Sequence, residues 1–207
     1  MPSLNFYGLQ QCQACLLHQS ATQKVDGRGP LPADIYILGE GPGNDEDKTG
    51  QPFVGKSGQF LQAAIEAAGL TTTTGLPLGT RGAVRIGNVV RCRPPRNRKP
   101  LPAEALRCQM WLNIELDLAQ PKVILCLGQT AIEAFLPGRK LEKGKKVADY
   151  VGQRLPNEQQ TIIGCYHPAA RQAAQRNQVP KVLLEVARLI GVEPPVKPEV
   201  DYRLLQF

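Results

Sequence analysis

The chain has 207 residues, 42% apolar and 21% charged, which suits one soluble globular domain that needs no disulfides to fold. Lys and Arg outnumber Asp and Glu by 25 to 18, and the formal charge of +7 favours a polyanionic partner, of which nucleic acid is the commonest. Two histidines exclude a His-rich metal site, no apolar run is long enough to span a bilayer, and the start MPSLNFYGLQ lacks the features of a signal peptide, so a cytoplasmic protein with no membrane role is expected.

In chain order, residues 3–20 read as a short helix carrying Cys12 and Cys15, and 26–33 as a Gly/Pro turn region. Residues 34–38 (DIYIL) form a buried strand that runs into the glycine loop Gly39-Glu40-Gly41-Pro42-Gly43. The acidic run 44–47 reads as a solvated loop, with a Mg²⁺ site as the alternative. Ser57 to Ala68 is a helix: Ser57 is its candidate cap, Phe60, Leu61, Ala64, Ile65 and Ala68 make its apolar face, and Gly69 ends it. A Thr/Gly-rich loop (71–82) leads to a second strand (83–90). The prolines of 91–100 forbid helix or central strand there.

A helix over 102–119 starts with proline in its first turn. A third strand (121–128) precedes a short helix to Phe135, a fourth (161–166) ends at His167-Pro168, and 179–190 is the last helix. Residues 1–192 then make one domain and 193–207 an irregular C-terminal tail. Strands alternating with helices predict an α/β fold, its mainly parallel sheet covered on both faces. In such sheets ligands bind beyond the carboxyl ends of the strands. The glycine loop, Asn88 and His167 all fall at such ends.

Cys12 and Cys15 form a C-x₂-C pair, Cys92 lies in the Pro-rich loop and Cys108 in the following helix; Cys126 and Cys165 read as strand residues. Four thiolates from three segments suit zinc or an iron–sulfur cluster, and the spacing does not choose between them. Arg91, Arg93, Arg96, Arg98 and Lys99 put five cations into nine residues held extended by prolines, a pattern suited to phosphate contacts. Phe53 sits between glycines in a loop, where an aromatic ring can stack on a flat ligand.

The segments GEGPGNDEDKTGQPFVGKSGQFL (39–61), NVVRCRPPRNRKPLPAE (88–104) and YHPA (166–169) together resemble family 4 uracil-DNA glycosylases, the iron–sulfur type. The resemblance covers most of residues 10–192 in the expected order. It implies a three-layer αβα sandwich with a short, mainly parallel four-stranded sheet, and a 4Fe–4S cluster on Cys12, Cys15, Cys92 and Cys108. It also implies hydrolysis of the N-glycosidic bond of deoxyuridine in single- or double-stranded DNA, on a nucleotide flipped out of the stack. Glu40 and His167 would be catalytic. Gly41, Glu46, Phe53 and Asn88 would bind uracil, with Glu46 as the wall against the thymine methyl.

The best-known branch of that superfamily carries a water-activating Asp where this chain has Gly41. After YHPA the chain continues Ala170-Arg171-Gln172 in place of the family's bulkier stretch, which leaves Arg171 as a candidate DNA contact. A monomer is expected. The terminal RLLQF is a conceivable sliding-clamp ligand, although a disordered end is the simpler expectation. A non-catalytic iron–sulfur DNA-binding or damage-sensing module would need the basic loop and the cysteines but not Glu40, Phe53, Asn88 and His167 together.

Overall fold

The computed structural model describes residues 4–195, apart from 76, 78, 79, 156, 158 and 159. Its strands are β1 (Ile35–Gly39), β2 (Val84–Asn88), β3 (Val123–Leu127), β4 (Arg154–Leu155) and β5 (Thr161–Cys165). They form one sheet in the order β2-β1-β3-β5-β4. β2, β1, β3 and β5 run parallel, and β4 pairs antiparallel with the outer edge of β5. The sheet therefore has five strands where four were expected. A two-residue strand has no periodicity to betray it.

The parallel strands are buried along nearly their whole length because both faces are covered. Ile35, Ile37, Val84, Ile86, Leu125 and Ile163 pack on one side against α3 (Lys56–Ala67) and α7 (Gln178–Leu189). Tyr36, Leu38, Ile124, Cys126 and Ile162 point the other way, toward α4 (Pro102–Ala119), α5 (Gln129–Glu133) and the N-terminal segment. Alternate residues of one strand thus feed two cores, and the product is the expected αβα sandwich. In α7, Val179, Val182, Leu183, Val186 and Ala187 recur at helical spacing and are all buried.

Three local expectations fail for physical reasons. Residues 4–20 are not one helix: two short 3₁₀ turns (Leu4–Tyr7 and Leu9–Gln11) precede α1 (Leu17–Ser20), and left-handed Gly8 separates the turns. Cys12 and Cys15 lie in the non-helical stretch before α1. Ser57 does not cap α3, which starts one residue earlier after Gly55 and has no side-chain cap. The acidic run is a helix, α2 (Asn44–Thr49), with Glu46 and Asp47 buried. Asp47 accepts from the Thr22 backbone N–H (2.9 Å) and hydroxyl (2.7 Å), so it serves as a tether and not as part of a Mg²⁺ cage. The start of the tail, 193–195, lacks regular structure; 196–207, with RLLQF, lies outside the described residues. No described helix is long and apolar enough to cross a membrane.

One buried carboxylate joins these layers. Glu115 of α4 is 0% exposed and accepts from Arg85 Nε of β2 (2.6 Å), Arg91 Nη2 (2.5 Å) and the Tyr36 hydroxyl of β1 (2.5 Å). Arg85 also donates to the carbonyls of Gly29 (2.9 Å) and Gly27 (3.2 Å) and pairs with Asp26, which in turn accepts the Leu4 backbone N–H. Burial alone would push the Glu115 carboxyl up, but Arg91 and Arg85 hold it below the ordinary range. Removing this anion strands two buried cations. Glu115→Ala should cost about 3–5 kcal/mol in urea unfolding; a loss below about 1 kcal/mol would contradict the role given to it.

Candidate active site

Parallel register sets the geometry. Gly39 of β1 is level with Asn88 of β2, Leu38 with Cys126 of β3, and Leu127 with Cys165 of β5. The residues just beyond these ends, Glu40, Gly128 and His167, therefore emerge along one edge of the sheet. A cavity of about 230 Å³ opens there, lined by Glu40, Gly41, Glu46, Phe53, Asn88 and His167 among others. All six residues expected to be catalytic or to bind the base thus meet in one place.

The walls are held by close contacts. A Cβ on Gly39 would stand 2.5 Å from both the Phe53 ring and Asn88 Oδ1, so only glycine lets these two groups converge. Phe53 has a left-handed backbone (φ 55°), a conformation that costs a non-glycine residue about 1–3 kcal/mol and persists where the surroundings enforce it. Gly58, in the first turn of α3, makes room for this backbone: a Cβ there would strike the Phe53 carbonyl oxygen at 1.9 Å. The Phe53 ring faces the His167 imidazole with centroids 5.8 Å apart and planes 28° from parallel.

Four side chains carry the polar chemistry. Asn88 is 3% exposed, and its Oδ1 has no hydrogen-bond partner among the described residues. A buried amide oxygen left unpaired costs about 1–3 kcal/mol, which points to a donor that arrives with a ligand. The His167 Nδ1 accepts the Ala169 backbone N–H (3.1 Å), which leaves the ring proton on Nε2. Burial pushes the imidazole down to about 4, against a smaller upward pull from Glu46, so the ring is neutral at pH 7 and donates as a neutral group. Glu46 is tied at both oxygens by the backbone N–H groups of Gly43 (3.0 Å), Val54 (2.9 Å) and Gly55 (2.9 Å), which makes it a fixed wall. Glu40 is half-buried, and one of its oxygens accepts from Thr130 of α5 (2.5 Å).

Thr130 was not foreseen. Its position just after β3 at the carboxyl edge was the signal that could have found it. Pro94, Asn97 and Arg98 also line the cavity, so the Pro-rich loop is part of the site wall.

The basic loop divides. Arg96 is exposed, and Arg93 is half-buried with bonds to Asn97 (2.7 Å) and Asn44 (2.9 Å). Arg98 and Lys99 are exposed but paired with Glu104 and Glu133. Arg171 is exposed. Arg91 is the correction: at 1% exposure and paired with Glu115, it is out of reach of any phosphate. It follows Val90 into the core, whereas the loop surfaces two residues later.

The cysteines converge as well. Cys12, Cys15, Cys92 and Cys108 line one pocket together with Arg91, Trp111, His18, Lys24 and Arg107. The Trp111 indole donates to Cys12 Sγ (3.1 Å), and the Arg91 backbone N–H donates to Cys108 Sγ (3.3 Å). Burial, reinforced by the neighbouring cysteines, pushes the Cys92 thiol up to about 12. Burial likewise raises Cys108, to about 11, although Arg91 pulls against it. Among the described residues no three His, Cys, Asp or Glu side chains are grouped closely enough to hold a metal ion. Cys126 and Cys165 are buried strand residues away from this pocket.

Residues 27–189 match the family described as the Uracil DNA glycosylase superfamily. The chain is 35% identical over 181 residues to a type-4 uracil-DNA glycosylase of Thermotoga maritima, covering 86% of each chain. It is 37% identical over 169 residues to a type-4 uracil-DNA glycosylase of Archaeoglobus fulgidus, covering 78% of each. A type-5 uracil-DNA glycosylase of Mycobacterium bovis is 32% identical over 192 residues, with 82% of this chain and 68% of that one covered.

The state of His167 is directly measurable. Its imidazole resonances should titrate near pH 4 and stay neutral from pH 5 to 8. The folded group lies below its ordinary value of about 6.5. The unfolded chain therefore takes up this proton first, and stability falls as pH drops from about 6.5 toward 4. A midpoint near 6.5 would show that the ring is not desolvated.

Proposed function

Because the chain belongs to the uracil DNA glycosylase superfamily, we infer that the cavity beyond the strand ends is where it removes uracil from DNA, hydrolysing the N-glycosidic bond and leaving an abasic site. The observation that carries this reading is Asn88, which lines the same cavity as Phe53 and His167 and whose buried Oδ1 has no hydrogen-bond partner among the described residues. Uracil offers an N3–H donor beside an O4 acceptor. Asn88 would accept the first at Oδ1 and donate to the second from Nδ2. Cytosine reverses both groups and would leave two buried polar contacts unmade, a strong basis for rejection. Phe53 would stack on the flipped ring, and Glu46, fixed by three N–H groups, would stand against a methyl at C5.

In the reaction the C1′–N1 bond breaks and its electron pair leaves with the uracil. Positive charge develops on the sugar and negative charge on the base. The neutral His167 would donate from Nε2 to uracil O2 as that charge grows, a contribution of about 3 kcal/mol for a preorganised donor. A neutral ring gives up no desolvated charge to do so, and the Ala169 N–H keeps its tautomer fixed. Glu40, oriented by Thr130, would face the sugar cation or orient the water that adds to C1′. Gly41 offers no side-chain acid, so Glu40 is the carboxylate of the glycine loop itself.

We assign a 4Fe–4S cluster to Cys12, Cys15, Cys92 and Cys108. Four thiols from three segments around one pocket fit such a cofactor. Bound there, it crosslinks the N-terminal segment, the Pro-rich loop and α4, and the thiols would release protons that burial otherwise retains. It supplies no step of bond cleavage. Its service is positional: Cys92 precedes Pro94, Asn97 and Arg98, which wall the uracil cavity. Arg93, Arg96, Arg98, Lys99 and Arg171 would meet the phosphate backbone from this rim.

Single-turnover release of uracil from an oligonucleotide, with EDTA present, tests the roles. His167→Ala should lose roughly 10²–10³ in rate with little change in DNA affinity. Asn88→Ala should lose rate on uracil and narrow the gap to cytosine. Wild-type rates in either variant would remove that residue from the mechanism.

A further inference from the structure

We propose that Arg91 is the buried charge partner of the cysteine-bound cluster, donating its spare guanidinium N–H groups to the cluster and cysteine sulfurs. The proposal rests on the cluster reading above. The Arg91 guanidinium is buried with only Nη2 engaged, on Glu115 and Tyr36; Nε and Nη1 have no hydrogen-bond partner among the described residues. A buried cation with idle donors is costly unless something the bare protein lacks accepts from them. Arg91 also lines the pocket shared by Cys12, Cys15, Cys92 and Cys108, and its own backbone N–H already donates to Cys108 Sγ.

Arg85 supplies the internal comparison. It is equally buried and holds the same Glu115, yet all three of its nitrogens are engaged: Nε on Glu115, Nη1 on the Gly29 carbonyl, Nη2 on the Gly27 carbonyl and Asp26. Arg85 is not among the residues lining the cysteine pocket, and Arg91 is. Two arginines on one carboxylate thus differ in one respect: the one beside the cysteines keeps donors in reserve. The other cations at that pocket, Lys24 and Arg107, are half-buried and exposed and reach water. Four thiolates leave a cluster negatively charged, and a fixed positive charge with N–H···S bonds stabilises such a centre. Arg91 would therefore set how firmly iron is held while touching neither uracil nor DNA.

The experiment compares Arg91→Lys with Arg85→Lys. Each keeps a cation within reach of Glu115, but lysine lacks Nε and the planar fork. Iron and sulfide are first assayed in the wild-type protein, and iron loss to a ferrous chelator is then followed by bleaching of the visible absorption. Arg91→Lys should lose iron about 10–100-fold faster than wild type, and Arg85→Lys at the wild-type rate. In the wild-type protein carrying isotopically labelled arginine nitrogen, with the cluster made paramagnetic by one-electron reduction with dithionite, electron–nuclear double resonance should show a guanidinium coupling, a readout that needs no variant to fold. Iron retention in Arg91→Lys equal to wild type, or no such coupling, overturns the proposal while leaving the cluster in place. A wild-type protein with neither iron nor sulfide overturns the cluster reading itself.

Discussion

The burial of Glu115 is the constraint on which the rest depends. One carboxylate on α4 gathers Arg85 from β2, Arg91 from the loop beyond it and Tyr36 from β1. The space around it is so tight that a Cβ on Gly27 would stand 1.7 Å from Glu115 Oε1, and one on Gly87 2.1 Å from the Tyr36 hydroxyl. Such a cluster of ions contributes little net stability compared with a well-packed apolar core, but breaking it is expensive. What it provides is placement. Asn88, Arg91 and Cys92 lie within five consecutive residues, so fixing Arg91 fixes the exit of β2 between the strand-end cavity and the cysteine pocket.

The two sites then divide the work. At the strand ends a neutral imidazole, a buried amide and an aromatic ring line the cavity where the base would sit, and the charged groups beside them are pinned: Glu46 by three N–H groups and Glu40 by Thr130. Chemistry of this kind depends on preorganised dipoles more than on proton transfer. At the other site Cys92 and Cys108 are buried and Cys12 and Cys15 half-buried, and a cluster there would act through the loop that Cys92 anchors.

Much of this was legible in the residues, for reasons that differ by element. The parallel strands, α3, α4 and α7 announced themselves through buried runs and helical spacing, and the carboxyl-edge rule then drew Glu40, Asn88 and His167 together. Features set by tertiary contact were not legible. The acidic run folded into a helix because Glu46 and Asp47 found backbone donors outside it, in the turn at 54–55 and at Thr22. Arg91 read as one cation among five, because nothing local tells a buried arginine from its exposed neighbours when its partner, Glu115, lies 24 residues away on α4. Thr130 and β4 had too little local pattern to stand out.

The central claim is that the cavity reads uracil and releases it by hydrolysis of the glycosidic bond. The most direct measurement is a base-release assay in EDTA on labelled single- and double-stranded oligonucleotides carrying uracil, cytosine or thymine at one position, analysed before and after alkali. The account predicts strand cleavage at uracil alone, and only after alkali exposes the abasic site. Cleavage without alkali, or equal release of thymine or cytosine, would contradict it.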